Sequence, residues 1–343
     1  MTTVLESLNA SLHRALTDDE RVIVLGEDLL DPYGGAFKVT RGLSQAYPGR
    51  VLTTPLSEAG FVGVAAGMAL RGMRPVVEIM FGDFLTLAAD QLINHAAKFG
   101  WMYSGGKPAA EQVKVPMVVR TPMGGRRGYG PTHSQTLEKH FLGAPGLRVL
   151  APCSLGDPGE LLYQAVLKTE GPVLFIENKL LYLLPVIDTQ NEDEFDIQEI
   201  SQCLAAPGFV MKLRGAPPPG LTLATYGYMT ELARQAAHQL AYEHEVFIEI
   251  LVLTQLAPFE IEPVLESAGQ TSRLLTLEEG PLSLGWGAEI VALTAEALGG
   301  HLQSAHRLAA LDLPVPSSPA LETAILPQTG HIVDTCLKIM QKR

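Results

Sequence analysis

Apolar and polar positions alternate between two patterns, one typical of strands and one typical of helices, through about the first 185 residues of the chain. Short runs rich in β-branched residues predict strands, and the longer amphipathic segments between them predict helices. The strands are predicted at 22–28, 74–80, 114–122, 147–152 and 171–178, and the helices near 3–17, 57–72, 83–100 and 157–169. Several of these strands are apolar almost throughout, which is typical of a parallel sheet covered on both faces. Residues 1–185 are therefore predicted to form an open α/β domain.

The composition changes after residue 185. No Lys or Arg lies between Leu180 and Met211, acidic residues cluster between 188 and 199, and consecutive prolines follow at 217–219. Such a segment is typical of an extended, solvated linker, which we predict over 186–220. A second α/β pattern fills 221–343, with strands predicted at 221–226, 246–253, 273–277 and 308–313 and helices at 229–243, 286–298 and 331–342. The predicted fold class is thus α/β, with two open, mainly parallel sheets in two domains.

Charge and hydropathy exclude several classes of partner. The 25 basic and 37 acidic side chains give a formal charge of −12, which repels the phosphate backbone of nucleic acids. No apolar stretch approaches the roughly 20 residues of a membrane-spanning helix, and no signal-peptide pattern is present. Cys153, Cys203 and Cys336 are widely spaced, which fits a reducing compartment and disfavours a structural zinc site. We expect a cytoplasmic protein with no nucleic-acid or membrane partner.

The first candidate for chemistry is Glu58, at the start of a predicted helix. A strand ends near Thr53, Ser57 can cap the following helix, and Glu58 then lies in its first turn at the carboxyl edge of the sheet. Taken alone, this placement has a simpler explanation, because an acidic side chain in the first turn interacts favourably with the helix dipole. The local pattern leaves both interpretations open.

The second candidate is the glycine-dense segment 120–135, which leaves a buried strand and reaches His133. Functional side chains are often carried on such loops, and histidine is a common proton-transfer residue near neutral pH. A solvated surface histidine is the alternative. Arg126 and Arg127 fit either a solvated charge pair or an anion contact.

A third candidate follows the strand at 74–80, where Met80 and Phe84 could line a flat pocket for an aromatic ring. Side chains of these types at this spacing more often belong to the core. Nucleotide-binding signatures are missing from the sequence: there is no Walker A pattern and no G-x-G-x-x-G after a strand. The Gly-Asp-Gly with a downstream Asn, used by thiamine enzymes to hold magnesium diphosphate, is missing as well.

Taken together and in this order, these segments closely resemble the beta subunit of the first component of the 2-oxoacid dehydrogenases. That family includes pyruvate, branched-chain 2-oxoacid and acetoin dehydrogenases. The resemblance extends from about residue 3 to residue 340. The matching stretches include LGED (25–28), TPLSEAGFVGVAAGMAL (54–70), DQLINHAAK (90–98), THSQ (132–135), GPVLFIENKLLY (171–182) and GWGAEI (285–290).

The resemblance implies that thiamine diphosphate is shared between two chains. The first domain becomes a transketolase-like pyrimidine-binding domain, and the second a transketolase C-terminal-like domain. Glu58 then hydrogen-bonds the pyrimidine ring, Met80 and Phe84 line its pocket, and Glu27 is a nearby acid. His133 assists at the substrate and in acyl transfer. The implied catalytic residues are thus Glu58 and His133, with no metal ligand in this chain.

Partners are implied as well. An alpha subunit binds the diphosphate and Mg²⁺, and the second domain assembles two alpha and two beta chains, with contact between the beta chains. The reaction is oxidative decarboxylation of a 2-oxoacid with acyl transfer to a lipoyl group, and a lipoyl acyltransferase core is a further partner. Backbone carbonyls near Met117 and at 166–171 match a K⁺ loop of some members.

Two rival functions stay open at this point. The pair Arg126-Arg127 is unusual in this family, and two cations suit a sugar phosphate, which favours a transketolase-like or acetoin-cleaving thiamine enzyme. A non-catalytic assembly subunit is the other rival. The presence of both Glu58 and His133 weighs against it.

Overall fold

A computed structural model describes residues 2–108, 111–202 and 206–341 of the chain. The chain divides into two compact units. The first contains residues 1–123, 140–152 and 157–186, and the second contains 124–139, 153–156 and 187–343.

The first unit is built on a parallel sheet, as its apolar strands predict. Its strands are β1 (Val22–Gly26), β2 (Val51–Thr53), β3 (Arg74–Glu78), β4 (Val118–Met123), β5 (Arg148–Leu150) and β6 (Val173–Asn178). They have the order β5–β6–β4–β3–β1–β2 across the sheet, and every neighbouring pair is parallel. All residues of β3 and β4 are buried, as expected when helices cover both faces of a parallel sheet.

Side-chain caps mark the start of two helices of this part of the chain, those that begin at Val4 and at Pro158, whereas Ser57 makes no capping hydrogen bond at the start of the helix that begins at Glu58. Thr3 and Glu6 form a capping box, in which the Thr3 hydroxyl accepts from the Glu6 amide and the Glu6 carboxylate accepts from the Thr3 amide. A π-helical turn, Gln91–Ala96, joins two helices. The helices are α1 (Val4–Asp18), α2 (Leu43–Ala46), α3 (Glu58–Leu70), α4 (Leu85–Asp90), α5 (Ala97–Ser104), α6 (Lys139–Leu142) and α7 (Pro158–Lys168).

The second unit contains a mixed sheet. Its strands are β7 (Phe195–Gln202), β8 (Ala206–Leu213), β9 (Leu221–Thr225), β10 (Ile248–Val252), β12 (Arg273–Pro281) and β13 (Ser304–Ala310), and a further short strand, β11 (Gln255–Ala257), is not part of this sheet. The sheet has the order β13–β12–β9–β10–β8–β7, with parallel pairs from β13 to β10 and antiparallel pairs from β10 to β7. The helices are α8 (Met229–His244), α9 (Glu262–Thr271), α10 (Trp286–Leu298), α11 (Pro319–Ile325) and α12 (Thr329–Gln341).

The predicted fold class is confirmed, but the linker prediction for 186–220 is wrong over much of its length. β7 and β8 pair as antiparallel strands of the second sheet. Phe195, Phe209 and Met211 are buried in the core of the second unit, so alternate positions face inward although acidic residues occupy others. Most of the acidic residues precede β7, and only Asp196 and Glu199 lie within it, so the acidic composition does not prevent this segment from forming a strand.

Two further differences concern the second unit. The glycine-rich segment 124–139, expected within the domain 1–185, belongs to the second unit, and helix α9 is not among the predicted elements. Cys153 and Cys336 are buried free thiols, and Cys203 lies outside the described residues. Within the described ranges, no helix has the length and apolar content needed to span a membrane.

Candidate active site

The two predicted acids of the first unit lie at neighbouring strand ends. Glu27 directly follows β1, and Glu58 is the first residue of α3, after β2. β1 and β2 pair in parallel, with Gly26 opposite Thr53. The topology therefore brings both carboxylates to one edge of the sheet, where open α/β sheets carry their ligands.

Burial makes Glu27 electrostatically unusual. Glu27 is 3% exposed and Glu58 is 7% exposed. Burial and, second to it, the charge of Glu58 raise the pKa of Glu27 to about 7, a rise that the backbone amide of Ser57 partly opposes. Neither Glu27 oxygen accepts a hydrogen bond of ordinary geometry within the described chain. A buried carboxyl that is readily protonated near neutral pH is a strong candidate for a functional group.

Met80 and Phe84 follow the end of β3 and are both half-buried. Phe84 belongs to an aromatic cluster, which we define as Phe37, Phe81, Phe84 and Tyr182. The ring centroids of Phe81 and Phe84 lie 5.9 Å apart, those of Phe37 and Phe81 5.6 Å, and those of Phe37 and Tyr182 5.5 Å. Aromatic contacts of this kind form a firm apolar wall.

A buried ion network joins three adjacent strands of the first sheet, β3, β4 and β6. Arg120 of β4 donates from Nε to Glu177 Oε1 at 2.7 Å and from Nη1 to Glu78 Oε2. The hydroxyl of Tyr182 donates to Glu177 Oε2 at 2.6 Å, which joins this network to the aromatic cluster. Burial raises the pKa of Glu78, and the charge of Arg120 opposes that rise. Lys179 is also fully buried, with Nζ 5.2 Å from the centroid of the Phe81 ring.

His133 lies in the second unit, on the segment 124–135, which we call the His133 loop. The loop closes at its neck, where the Gly124 amide donates to the Gln135 carbonyl at 3.4 Å. The His133 ring is half-buried, and its Nδ1 is 2.9 Å from the Thr132 hydroxyl. Glu58 and His133 therefore belong to different units.

Arg126 does not behave as a free anion contact. Its Nε donates to Glu279 Oε2 at 3.4 Å and its Nη1 to Gln328 Oε1 at 3.2 Å, while Nη2 donates to the Pro327 carbonyl. Three of the five N–H donors of Arg126 are thus engaged within the second unit, which leaves two for any other ligand. The main observation in favour of a phosphosugar site is thereby weakened.

Two carbonyls of the suggested K⁺ loop also have a partner within the first unit. Arg74, which is 6% exposed, donates from Nη1 to the Val166 carbonyl at 2.9 Å and to the Thr169 carbonyl at 3.0 Å. Its Nη2 donates to Glu170 Oε1 at 3.2 Å. A side-chain cation therefore lies against these carbonyls.

Comparison with known families decides the assignment. The family model described as "Transketolase, pyrimidine binding domain" matches residues 2–183, and "Transketolase, C-terminal domain" matches residues 214–332. The pyruvate dehydrogenase E1 component subunit beta-1 of Arabidopsis thaliana is 36% identical over 335 residues, which cover 96% of this chain and 87% of that protein. The chain belongs to the E1 beta-subunit family.

Bacterial members of the E1 beta-subunit family match over the same length. The pyruvate dehydrogenase E1 component subunit beta of Rickettsia conorii is 32% identical over 339 residues, covering 98% of each chain. A solved structure titled "Split gene transketolase, inactive beta4 tetramer" superposes with a TM-score of 0.75, 20% identity and full coverage of both chains. That structure supports the fold alone. The predicted family, fold class and enzyme class are confirmed.

Several residues at this candidate site are not among those that the sequence analysis predicts. Glu78, Arg120, Glu177 and Lys179 form or adjoin the buried ion network, and Phe81 lies at the centre of the aromatic cluster. A signal was available, since apolar strands end in charged residues at Glu78 and Glu177 and β4 carries Arg120 between them. Predicting that Arg120 pairs with both carboxylates also requires the order of the strands, which places β4 between β3 and β6.

Proposed function

We propose that this chain is the thiamine-diphosphate-binding beta subunit of an enzyme that oxidatively decarboxylates a 2-oxoacid and transfers the acyl group to a lipoyl group. The observation that carries the proposal is the coupled, buried pair Glu27–Glu58 at the carboxyl edge of the first sheet. An apolar site with a carboxyl able to hold or release a proton near pH 7 suits cofactor chemistry that depends on proton movement.

The residues of the first unit fit the aminopyrimidine half of the cofactor. Glu58 would accept a hydrogen bond from a protonated ring nitrogen, and Met80 with Phe84 would lie along the ring. Glu27, with both oxygens buried and without ordinary hydrogen bonds, would exchange a proton with Glu58. When bound, thiamine diphosphate supplies the electron sink for decarboxylation. His133 would hold the substrate carboxylate or the departing acyl group through its ring nitrogens.

The proposal requires an alpha-type partner, which would hold the diphosphate and Mg²⁺. Support comes from the first unit, where large apolar side chains are exposed on helices α3 to α5 and in the segment that precedes α3. The Trp101 side chain, for example, is 86% exposed. Exposed apolar groups of this size are typical of protein interfaces. The exposed set is Leu56, Val64, Leu87, Trp101 and Met102.

We further propose an assembly of two alpha and two beta chains that serves a lipoyl acyltransferase core. K⁺ at 166–171 stays a prediction of the family resemblance, and the contacts of Arg74 do not favour it. The cytoplasmic location also stays a prediction.

The decisive experiment is co-expression of this chain with its alpha-type partner, followed by comparison of wild type with Glu58→Gln. We expect the variant to assemble normally and to lose at least about 100-fold in 2-oxoacid decarboxylation, since one proton-transferring group contributes about 10²–10⁴-fold. Glu20→Gln, an exposed site in the same unit, is the matched control.

Two outcomes would redirect the assignment. Full turnover by Glu58→Gln would support the non-catalytic assembly subunit. Turnover of phosphosugars or of acetoin in place of 2-oxoacids, by the wild-type complex, would support the transketolase-like or acetoin-cleaving alternative.

A further inference from the structure

Two carboxylates from distant parts of the chain bind the backbone of the His133 loop within the second unit. Glu322 accepts from the Arg126 amide through Oε1 at 2.6 Å and from the Gly128 amide through Oε2 at 3.2 Å. Glu279 accepts from the Gly125 amide through Oε1 at 2.7 Å. Three amides of one turn are thus held by two carboxylates. Hydrogen bonds to a charged acceptor are about twice as strong as neutral ones.

The side chain of Arg126 closes this arrangement. Its backbone has φ +68°, a left-handed conformation that is uncommon for a residue with a Cβ atom. The guanidinium donates to Glu279, Gln328 and the Pro327 carbonyl, so it neutralises one carboxylate and fastens the loop to the segment after α11. We call Arg126, Glu279 and Glu322 the loop clamp.

Burial and close packing leave the clamp little freedom. Glu279 and Glu322 are each 4% exposed. A Cβ atom on Gly125 would lie 2.6 Å from Leu326 Cδ1 and 3.0 Å from Glu322 Oε1, so the backbone approaches this carboxylate as closely as glycine permits. His133 follows a few residues later, and its amide donates to the Gly130 carbonyl at 3.2 Å. The position of the His133 ring therefore depends on a turn that the clamp fixes.

We propose that Glu322, together with Glu279 and Arg126, is a positioning residue that sets the location of the His133 ring for acyl transfer. This inference rests on the proposed function of His133. It assigns the unusual Arg126 to the support of the site and leaves the substrate to other residues.

The experiment is a double-mutant cycle in the alpha–beta complex, with His133→Ala, Glu322→Gln and the double variant. Glutamine keeps the size of Glu322 but replaces one of its two acceptor oxygens by an NH₂ group that cannot accept from an amide. We expect Glu322→Gln to lower the rate of lipoyl acylation about 10- to 100-fold, because a displacement near 1 Å can reduce rates by about that factor. Thiamine-diphosphate affinity should change less than about twofold, since the group that binds the ring belongs to the first unit.

A role through His133 predicts a specific pattern in the cycle. The double variant should be no slower than His133→Ala alone, and hydrogen exchange in the peptide covering 124–133 should accelerate in Glu322→Gln. Glu296→Gln, an exposed site on α10, is the matched control and should leave rate and exchange unchanged. Glu279→Gln tests the same cycle through the Gly125 contact if Glu322→Gln does not fold.

Results that contradict the clamp proposal differ from results that contradict the role proposed for His133. If His133→Ala is slow but the clamp variants retain the wild-type rate, the clamp proposal is wrong and the proposed function stands. The clamp proposal also fails if Glu322→Gln slows His133→Ala by the same factor as it slows wild type. If His133→Ala acylates at the wild-type rate, the role proposed for His133 is wrong, whatever the clamp variants do.

Discussion

Glu27 and Glu58 form a coupled pair of buried acids. Burial and, second to it, the neighbouring charge of Glu58 raise the pKa of Glu27 from 4.5 to about 7. The coupling has a consequence for stability as well as for chemistry, because a pKa that differs between the folded and unfolded chain makes stability depend on pH.

The raised pKa of Glu27 determines whether the folded chain gains or loses stability as the pH rises. Between about pH 4.5 and pH 7 the folded chain keeps a proton on Glu27 that the unfolded chain has released. Stability contributed by this group is therefore full below pH 4.5 and is lost as the pH rises through 7, by at most roughly 3 kcal/mol.

Glu27→Gln should remove this loss. We expect the variant to be more stable than wild type at pH 8 by roughly 1–3 kcal/mol and equal to it below pH 4.5, measured by urea unfolding at several pH values. Glu278 in the second unit, whose pKa burial also raises to about 7, contributes equally to both proteins and cancels in the difference. Glu20→Gln should show no such pH-dependent difference. An advantage for Glu27→Gln that is constant across the pH range would contradict the assignment.

The buried ion network of the first unit gives a second prediction. Arg120→Met should destabilise the chain by about 3–5 kcal/mol, because Glu78 and Glu177 would be left as buried carboxylates without their counter-ion. Chemical denaturation at pH 7 measures the change in the free energy of unfolding.

Arg21→Ala is the matched control for Arg120→Met. Arg21 pairs with Asp19, but the Arg21 side chain is 55% exposed, and exposed pairs contribute about 0–1 kcal/mol. Equal losses from the two substitutions would mean that burial adds nothing to the Arg120 network. Smaller losses for Arg120→Met at pH 5 than at pH 7 are also expected, since burial raises the pKa of Glu78.

The parts of the fold that the sequence predicts well are those whose burial is uniform. β3 and β4 are buried at every position, so their β-branched runs indicate strands directly. The sequence predicts a linker where β7 and β8 form a hairpin, because acidic residues are frequent before and within β7, whereas the inward positions of β8, Phe209 and Met211, are only two residues apart. Composition averages over the two faces of a strand, and the inward face decides the fold.

The candidate site likewise contains residues whose roles can be predicted from local sequence and residues whose contacts cannot. Glu58 could be predicted from its place in the first turn of a helix, joined to a family resemblance over the whole chain. The contacts of Arg126 could not be predicted, because its backbone amide donates a hydrogen bond to Glu322, which is 196 residues away in sequence. Contacts at such separation follow from tertiary packing, and local patterns carry no trace of them.

A third prediction concerns the turn that precedes β5 in the first unit. Gly146 and Gly72 have the same φ of +88°, which disfavours any residue with a Cβ atom. A Cβ on Gly146 would lie 2.2 Å from the Ala97 carbonyl oxygen, whereas a Cβ on Gly72 would meet nothing within 4 Å. Comparing substitutions at the two glycines therefore separates the cost of the left-handed backbone conformation, which both share, from the cost of a steric clash, which only Gly146 has.

Gly72→Ala should cost about 1–2 kcal/mol, the usual penalty for a left-handed residue with a side chain. Gly146→Ala should cost about 1–3 kcal/mol more, because the Ala97 carbonyl belongs to helical backbone and cannot move aside without disturbing α5. Urea unfolding of both variants with wild type measures the difference. Equal losses would show that the turn before β5 relaxes away from α5, and the close approach at Gly146 would then not constrain this part of the fold.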